Sequence, residues 1–252
     1  MFITTLWLSL AGQMQPIDAG EYRPLYLKAD TPYVQVQSFQ LDAAPVTNQA
    51  YFEFVQAQTK WQKQNVPSIF AEHNYLQHWL LQNGQYQPSQ HQLNTPVTNV
   101  SWFAAQAYCQ AQGKVLPTVD QWEYVALASE HQANGSIEGD FHQKILAWYS
   151  KPTPTQLPEI MQNPANYWGV YDMHGLVWEW TLDFNSALVN GESRNDASLD
   201  AKLFCGAGAA SSADPKDYAA FMRFGFRSSL QAHFTSSNLG FRCAAATNYS
   251  KD

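Results

Sequence analysis

The residues best suited to chemistry in this chain lie in one stretch, Asn166-Tyr-Trp-Gly-Val-Tyr171-Asp-Met-His-Gly175-Leu-Val-Trp-Glu179-Trp-Thr-Leu-Asp183. Asp172 and Glu179 supply hard carboxylate oxygens. The backbone between them, freed from regular pairing near Gly175, can turn carbonyls inward as further ligands, a donor set that suits calcium. The spacing is not that of an EF-hand. The same residues also fit a purely structural reading, in which Trp178 and Trp180 anchor a turn and Glu179 accepts hydrogen bonds from backbone amides.

Positioning such a loop requires a scaffold around it. Met14–Tyr22 reads as an opening strand and turn, and Tyr33–Phe39 alternates apolar and polar residues as a half-buried strand does. Thr47 caps a helix with Tyr51, Phe54 and Val55 on one inward face. Ser101 caps a second, carrying Trp102, Ala105 and Cys109 to a stop at Gly113, and Thr118-Val-Asp-Gln121 is a capping box for a third that turns Trp122, Val125 and Ala126 inward. Residues 60–93 carry His73, His78 and His91 without the spacing of a metal pair and read as ordinary surface or satisfied histidines. Gly135, Gly139 and Pro152, Pro154 and Pro158 mark a long irregular connection. In the tail, Gly206-Ala-Gly208 lacks the lysine and following helix of a phosphate loop.

A chain of 252 residues can form one domain with a substantial core, and no linker divides it. Only 14% of residues are charged, against roughly a quarter in ordinary domains, a composition suited to an extracytoplasmic protein. A formal net charge of −7 with fourteen Lys and Arg argues against nucleic acid as a partner. No later apolar run is long enough to span a membrane. Residues 1–11, ending in Ser9-Leu10-Ala11, read as the remnant of a secretory signal, with residues 12–252 as the domain.

Four stretches, in order, resemble the formylglycine-generating enzyme, or sulfatase-modifying factor, family: Pro45–Phe54, Pro96–Trp102 running on through Leu116–Tyr124, the central stretch ending in Trp178-Glu179-Trp180, and Asn238-Leu-Gly-Phe-Arg-Cys243. The resemblance implies an α+β, loop-rich fold of the C-type-lectin kind with little regular secondary structure. It also implies a structural calcium held by the Asp172 side chain, the carbonyls of Gly175 and Val177 and the Glu179 carboxylate, and a disulfide between Cys109 and Cys243. Such a bridge depends on an oxidising compartment, and so on the periplasmic or secreted location expected from residues 1–11.

The enzymes of this family bind copper(I) at a second cysteine pair, where two thiolates suit the soft ion and one serves as nucleophile. Between Gly206 and Arg242 this sequence has no cysteine. Formylglycine generation is therefore expected to be absent. Cys205 is left over: a buried free thiol, a lone copper or thiol-exchange ligand, or half of an intermolecular bridge.

Two functions follow from the resemblance. In the first, the chain is a binding or maturation protein for a protein or peptide partner, with Cys205, Ser211, Trp168 and Trp178 along a shallow aromatic groove. The tail is similar to members found with copper-containing nitrite reductases, which makes a periplasmic copper enzyme the expected partner. In the second, it is an oxidoreductase using copper or iron independently of a cysteine pair, with Asp214, Asp217, Tyr218 and His233 as acid–base groups and Met173 or Met222 as soft ligands.

Overall fold

A computed structural model describes residues 12–23, 32–152, 154–185 and 215–246. The strands are short and lie in small separate sheets. Strand β1 (Met14–Ile17) pairs antiparallel with β4 (Phe39–Asp42), which pairs in turn with β9 (Ala244–Ala246). Strands β2 (Gly20–Tyr22) and β3 (Val34–Val36) form a second antiparallel pair, and β5 (Leu80–Gln82) and β6 (Gln85–Gln87) a hairpin. Its Asn83-Gly84 turn has both φ angles positive, +51° and +79°, the conformation a two-residue hairpin requires. Strands β7 (Trp178–Glu179) and β8 (Leu239–Gly240) run parallel.

Among the described residues, five α-helices pack around these strands: α1 (Asn48–Ala57), α2 (Trp102–Ala111), α3 (Val119–Ala126), α4 (Phe141–Tyr149) and α5 (Pro215–Ser228). The first three begin where their caps lie: Thr47, Ser101 and Thr118 accept from the amides of Ala50, Ala104 and Gln121. Gly113, at φ +70°, follows the end of α2 in the left-handed conformation that glycine adopts without strain. Helices α4 and α5 lie in stretches read above without a helix, α4 within the supposed irregular connection.

The main core gathers the inner faces of α1 and α2 around Trp180, Leu239 and Phe241. Tyr51 sits at its centre, stacked on Tyr108, with its hydroxyl 2.7 Å from that of Tyr75. The 60–93 stretch is docked on this core by a buried amide: Asn48 Oδ1 accepts from Trp79 Nε1 at 2.7 Å and pairs with His78 Nε2 at 3.0 Å. Burial pushes the His78 imidazole down to about 4. A second cluster packs α3 against β1, β3 and β4.

Cys109 and Cys243 are joined by a disulfide, with both residues fully buried. It ties α2 to the segment entering β9 across a sequence separation of 134. Closing so long a loop contributes roughly 4–5 kcal/mol in the chain-entropy account. Gly240 is required by close approach, since a Cβ there would lie 2.7 Å from the Val97 carbonyl oxygen.

Candidate functional site

The central loop holds its shape through side chains rather than a ladder. Asn166 Oδ1 accepts from the amides of Trp168 and Val170, both at 3.1 Å, and its Nδ2 donates to the Val125 carbonyl of α3 at 3.0 Å. Gly169 and Gly175 turn the chain at φ +73° and +100°. Asp172 also has a left-handed backbone, φ +57°, uncommon for a residue with a Cβ but tolerated by aspartate. That geometry brings its Oδ2 within 2.6 Å of the Met161 amide. Burial raises the Asp172 carboxyl, opposed by the Met161 hydrogen bond and the Arg242 charge.

Glu179 meets a different partner from the backbone amides considered above. Arg242 Nη2 donates to its Oε1 and Arg242 Nε to its Oε2, each at 2.8 Å, and Trp122 Nε1 donates to Oε2 at 2.8 Å. Arg242 also reaches the carbonyls of Tyr171 at 2.9 Å and Asp42 at 3.2 Å. One fully buried guanidinium thus joins β7, the central loop and β4.

Beside this lies the inner face of α5. Glu123 accepts from Arg223 Nε and Nη2 at 2.9 and 2.7 Å, and from Arg227 Nη1 at 2.5 Å, with all three side chains buried. Burial alone would raise the Glu123 carboxyl, but the two arginines outweigh it and hold it down to about 2. Both guanidiniums lie over the Trp122 ring, 5.6 and 4.7 Å from its centroid. Phe226 stacks on Trp178 at 4.3 Å, and Trp148 and Tyr149 close around it at 5.6 and 5.1 Å.

The two groove residues that are described, Trp168 and Trp178, sit in different clusters. Trp168 packs on Tyr124 in the second core cluster, whereas Trp178 belongs to the aromatic group under α5. Met173 is buried in the second cluster, while Met222 and Tyr218 are exposed on α5. Cys205, Ser211, Asp214 and residues 1–11 lie outside the described residues. Among the described residues, no three His, Cys, Asp or Glu side chains group as a metal site.

A protein-family model for the sulfatase-modifying factor enzyme 1-like domain matches residues 11–247. The chain belongs to this family. It is 26% identical to the mouse inactive C-alpha-formylglycine-generating enzyme 2 over 265 residues, covering 87% of this chain and 79% of that one. It is 30% identical to the mouse formylglycine-generating enzyme over 182 residues, which is 62% of this chain and 45% of the relative. Among solved structures, PvdO from Pseudomonas aeruginosa superposes with a TM-score of 0.50 at 17% identity, covering 92% of this chain and 94% of that one. CarF does so with the same score at 16% identity, covering 94% and 99%.

A calcium ion at this loop would have to use the oxygens that the protein's own donors leave over. Among the described residues Glu179 has three donors for about four lone-pair positions, which leaves one on Oε1. Asp172 Oδ1 has no protein donor among the described residues. The loop's two carboxylates face one arginine, which leaves an excess negative charge. Asp172 Oδ1 and one position on Glu179 Oε1 are the carboxylate sites left over for a hard cation. The arginines of α5 escaped the sequence reading, although Arg223 and Arg227 stand four apart, on one helical face.

Proposed function

We propose that this family member binds and assists a partner polypeptide rather than generating formylglycine, and that it does so outside the cytoplasm. The observation that carries this reading is the packing of α5. The stretch that the resemblance sets against the thiolate pair runs from Ala209 to Ala220 and holds no cysteine; its last two residues, Ala219 and Ala220, are each 2% exposed, and the next turns are locked by Arg223 and Arg227 onto Glu123. Such a face supplies structure. The inactive formylglycine-generating relatives support the same reading. The Cys109–Cys243 bridge and the low charge content favour export.

The proposed partner is a periplasmic copper enzyme of the nitrite reductase type, on the strength of the tail's resemblance. Calcium at Asp172, Gly175, Val177 and Glu179 would be structural, neutralising the loop's excess charge. The test is elemental analysis of protein exported to a periplasm and purified without chelator, together with a copper and oxygen assay on a sulfatase-type cysteine peptide. About one calcium per chain and no peptide conversion are expected. Conversion of the peptide would overturn the reading, and near-stoichiometric copper or iron would replace it with a metal-dependent oxidoreductase. Co-expression with a copper nitrite reductase should raise that enzyme's copper occupancy.

A further inference from the structure

A cavity of about 590 Å³ opens between α1, the end of α2, β4 and residues 159–162. Its size is that of a small-molecule or side-chain pocket. It shares no lining residue with the aromatic group beneath α5. Three carboxylates, Asp42, Glu53 and Glu159, line it against one ammonium, Lys114, a net of −2. Lys114 is already engaged, with Nζ 2.5 Å from Asp42 Oδ1, while Asp42 Oδ2 accepts from the Cys243 amide. Among the described residues the unneutralised charge is therefore that of Glu159 and of Glu53, whose Oε1 accepts from Gln49 Nε2 at 2.6 Å.

Tyr108 lines the same cavity. The residue is 8% exposed, and its ring is fixed by stacking on Tyr51 and by edge contacts with Phe54 and Phe241. Its side chain lines the cavity, yet its hydroxyl has no hydrogen-bond partner among the described residues. Burial, then the negative fields of Asp42 and Glu53, push its ionisation up, so the phenol stays neutral and can accept a hydrogen bond through its oxygen. Val46, Ala50 and Ile160 form an apolar wall on the same cavity.

We propose that this cavity binds an alkylammonium ion. The amine would be held by Glu53, Glu159 and the Tyr108 oxygen, with a short apolar stem along Val46, Ala50 and Ile160. Charge-assisted hydrogen bonds to carboxylates supply the attraction. The surplus negative charge excludes acids of the same length. The ion can be a free diamine or the side chain of a lysine in an extended peptide.

Calorimetric titration of the full chain with 1,5-diaminopentane and with Nα-acetyl-lysine N-methylamide tests this, with 1,5-pentanediol and pentanoate as matched controls. Saturable binding of the amines in the millimolar range or tighter is expected, with none for the controls. A tighter lysine derivative identifies a peptide side chain as the ligand, and a tighter diamine identifies a free amine. Glu53→Gln should weaken binding about tenfold, the effect of losing one charge-assisted bond. Tyr108→Phe, which keeps the packed ring, should weaken it about fivefold. Both variants should melt within a few degrees of the parent. Equal binding of the diol, no saturation by about 10 mM amine, or unchanged affinity in both variants would overturn the assignment.

Discussion

Glu179 and Glu123 are both buried carboxylates, they flank the same indole, and they are satisfied in opposite ways. Glu179 has one arginine, Arg242, as a bidentate partner, with Trp122 Nε1 on the same carboxylate. Glu123 has two arginines, which leaves a net positive charge within a buried cluster. The faces of Trp122 and the Tyr149 hydroxyl, 3.3 Å from Arg223 Nη1, take up part of that excess. The first pair stitches together segments that meet only when the whole chain is folded. The second holds one helix against a finished surface. A buried ion pair is thus a keystone or a clamp according to what its partners are attached to.

The sharpest break of this comparison is Arg242→Met. It leaves Glu179 buried without its cation and removes donors from the Tyr171 and Asp42 carbonyls. Breaking such a pair by deleting one partner costs about 3–5 kcal/mol. Urea denaturation should show a fall in midpoint at an unchanged m-value, with all probes moving together. A loss below about 1 kcal/mol, the level of an exposed pair, would show that Arg242 is no keystone.

Glu123→Gln comes next, and its effect should be local. Two guanidiniums lose their counter-charge, so hydrogen exchange should quicken over α5 while α2 amides stay protected. The parent should show the same loosening in acid. The Glu123 carboxyl titrates near 2 in the fold against an ordinary value near 4.5. Its contribution is therefore complete above about pH 4.5 and is lost as pH falls toward 2, on the order of a few kcal/mol. In Glu123→Gln that acid-dependent part of α5 exchange should vanish. Uniform exchange changes across both helices would make Glu123 a second keystone.

The keystone was only half legible in the sequence, and the clamp not at all. Helices α1 to α3 could be read because Thr47, Ser101 and Thr118 are strong local start signals. The central stretch could be read as a loop, since its glycines and asparagine impose turns that no periodic pattern fits. What its glutamate meets could not be read, because Arg242 is 63 residues away and only the folded chain brings them together. Helix α5 was hidden for another reason: its inward face mixes Ala219 and Ala220 with Arg223 and Arg227, so a search for apolar spacing passes over it, and Gly225 interrupts the pattern. Its start signal, Asp214 before Pro215, was present. Helix α4 is a nine-residue segment between glycine- and proline-rich flanks, which dominate any local reading. The Asn83-Gly84 hairpin was signalled and went unread.

Trp122→Phe probes whether keystone and clamp are independent. It removes the hydrogen bond to Glu179 Oε2 while Arg242 still holds both oxygens, and it replaces the indole face under Arg223 and Arg227 with a smaller ring. The lost hydrogen bond to a charged group and the weaker cation–π contact together suggest a cost of about 2 kcal/mol. Combined with Glu123→Gln in a double-mutant cycle, the two changes should couple by about 0.5–1 kcal/mol, because the arginines lean on both residues. Combined with Arg242→Met, the coupling should be of similar size through the shared Glu179 oxygen. Strict additivity in both cycles would mean that the indole only fills space between two separate ion clusters. Coupling in both would make Trp122 the route by which loosening α5 weakens the centre of the fold.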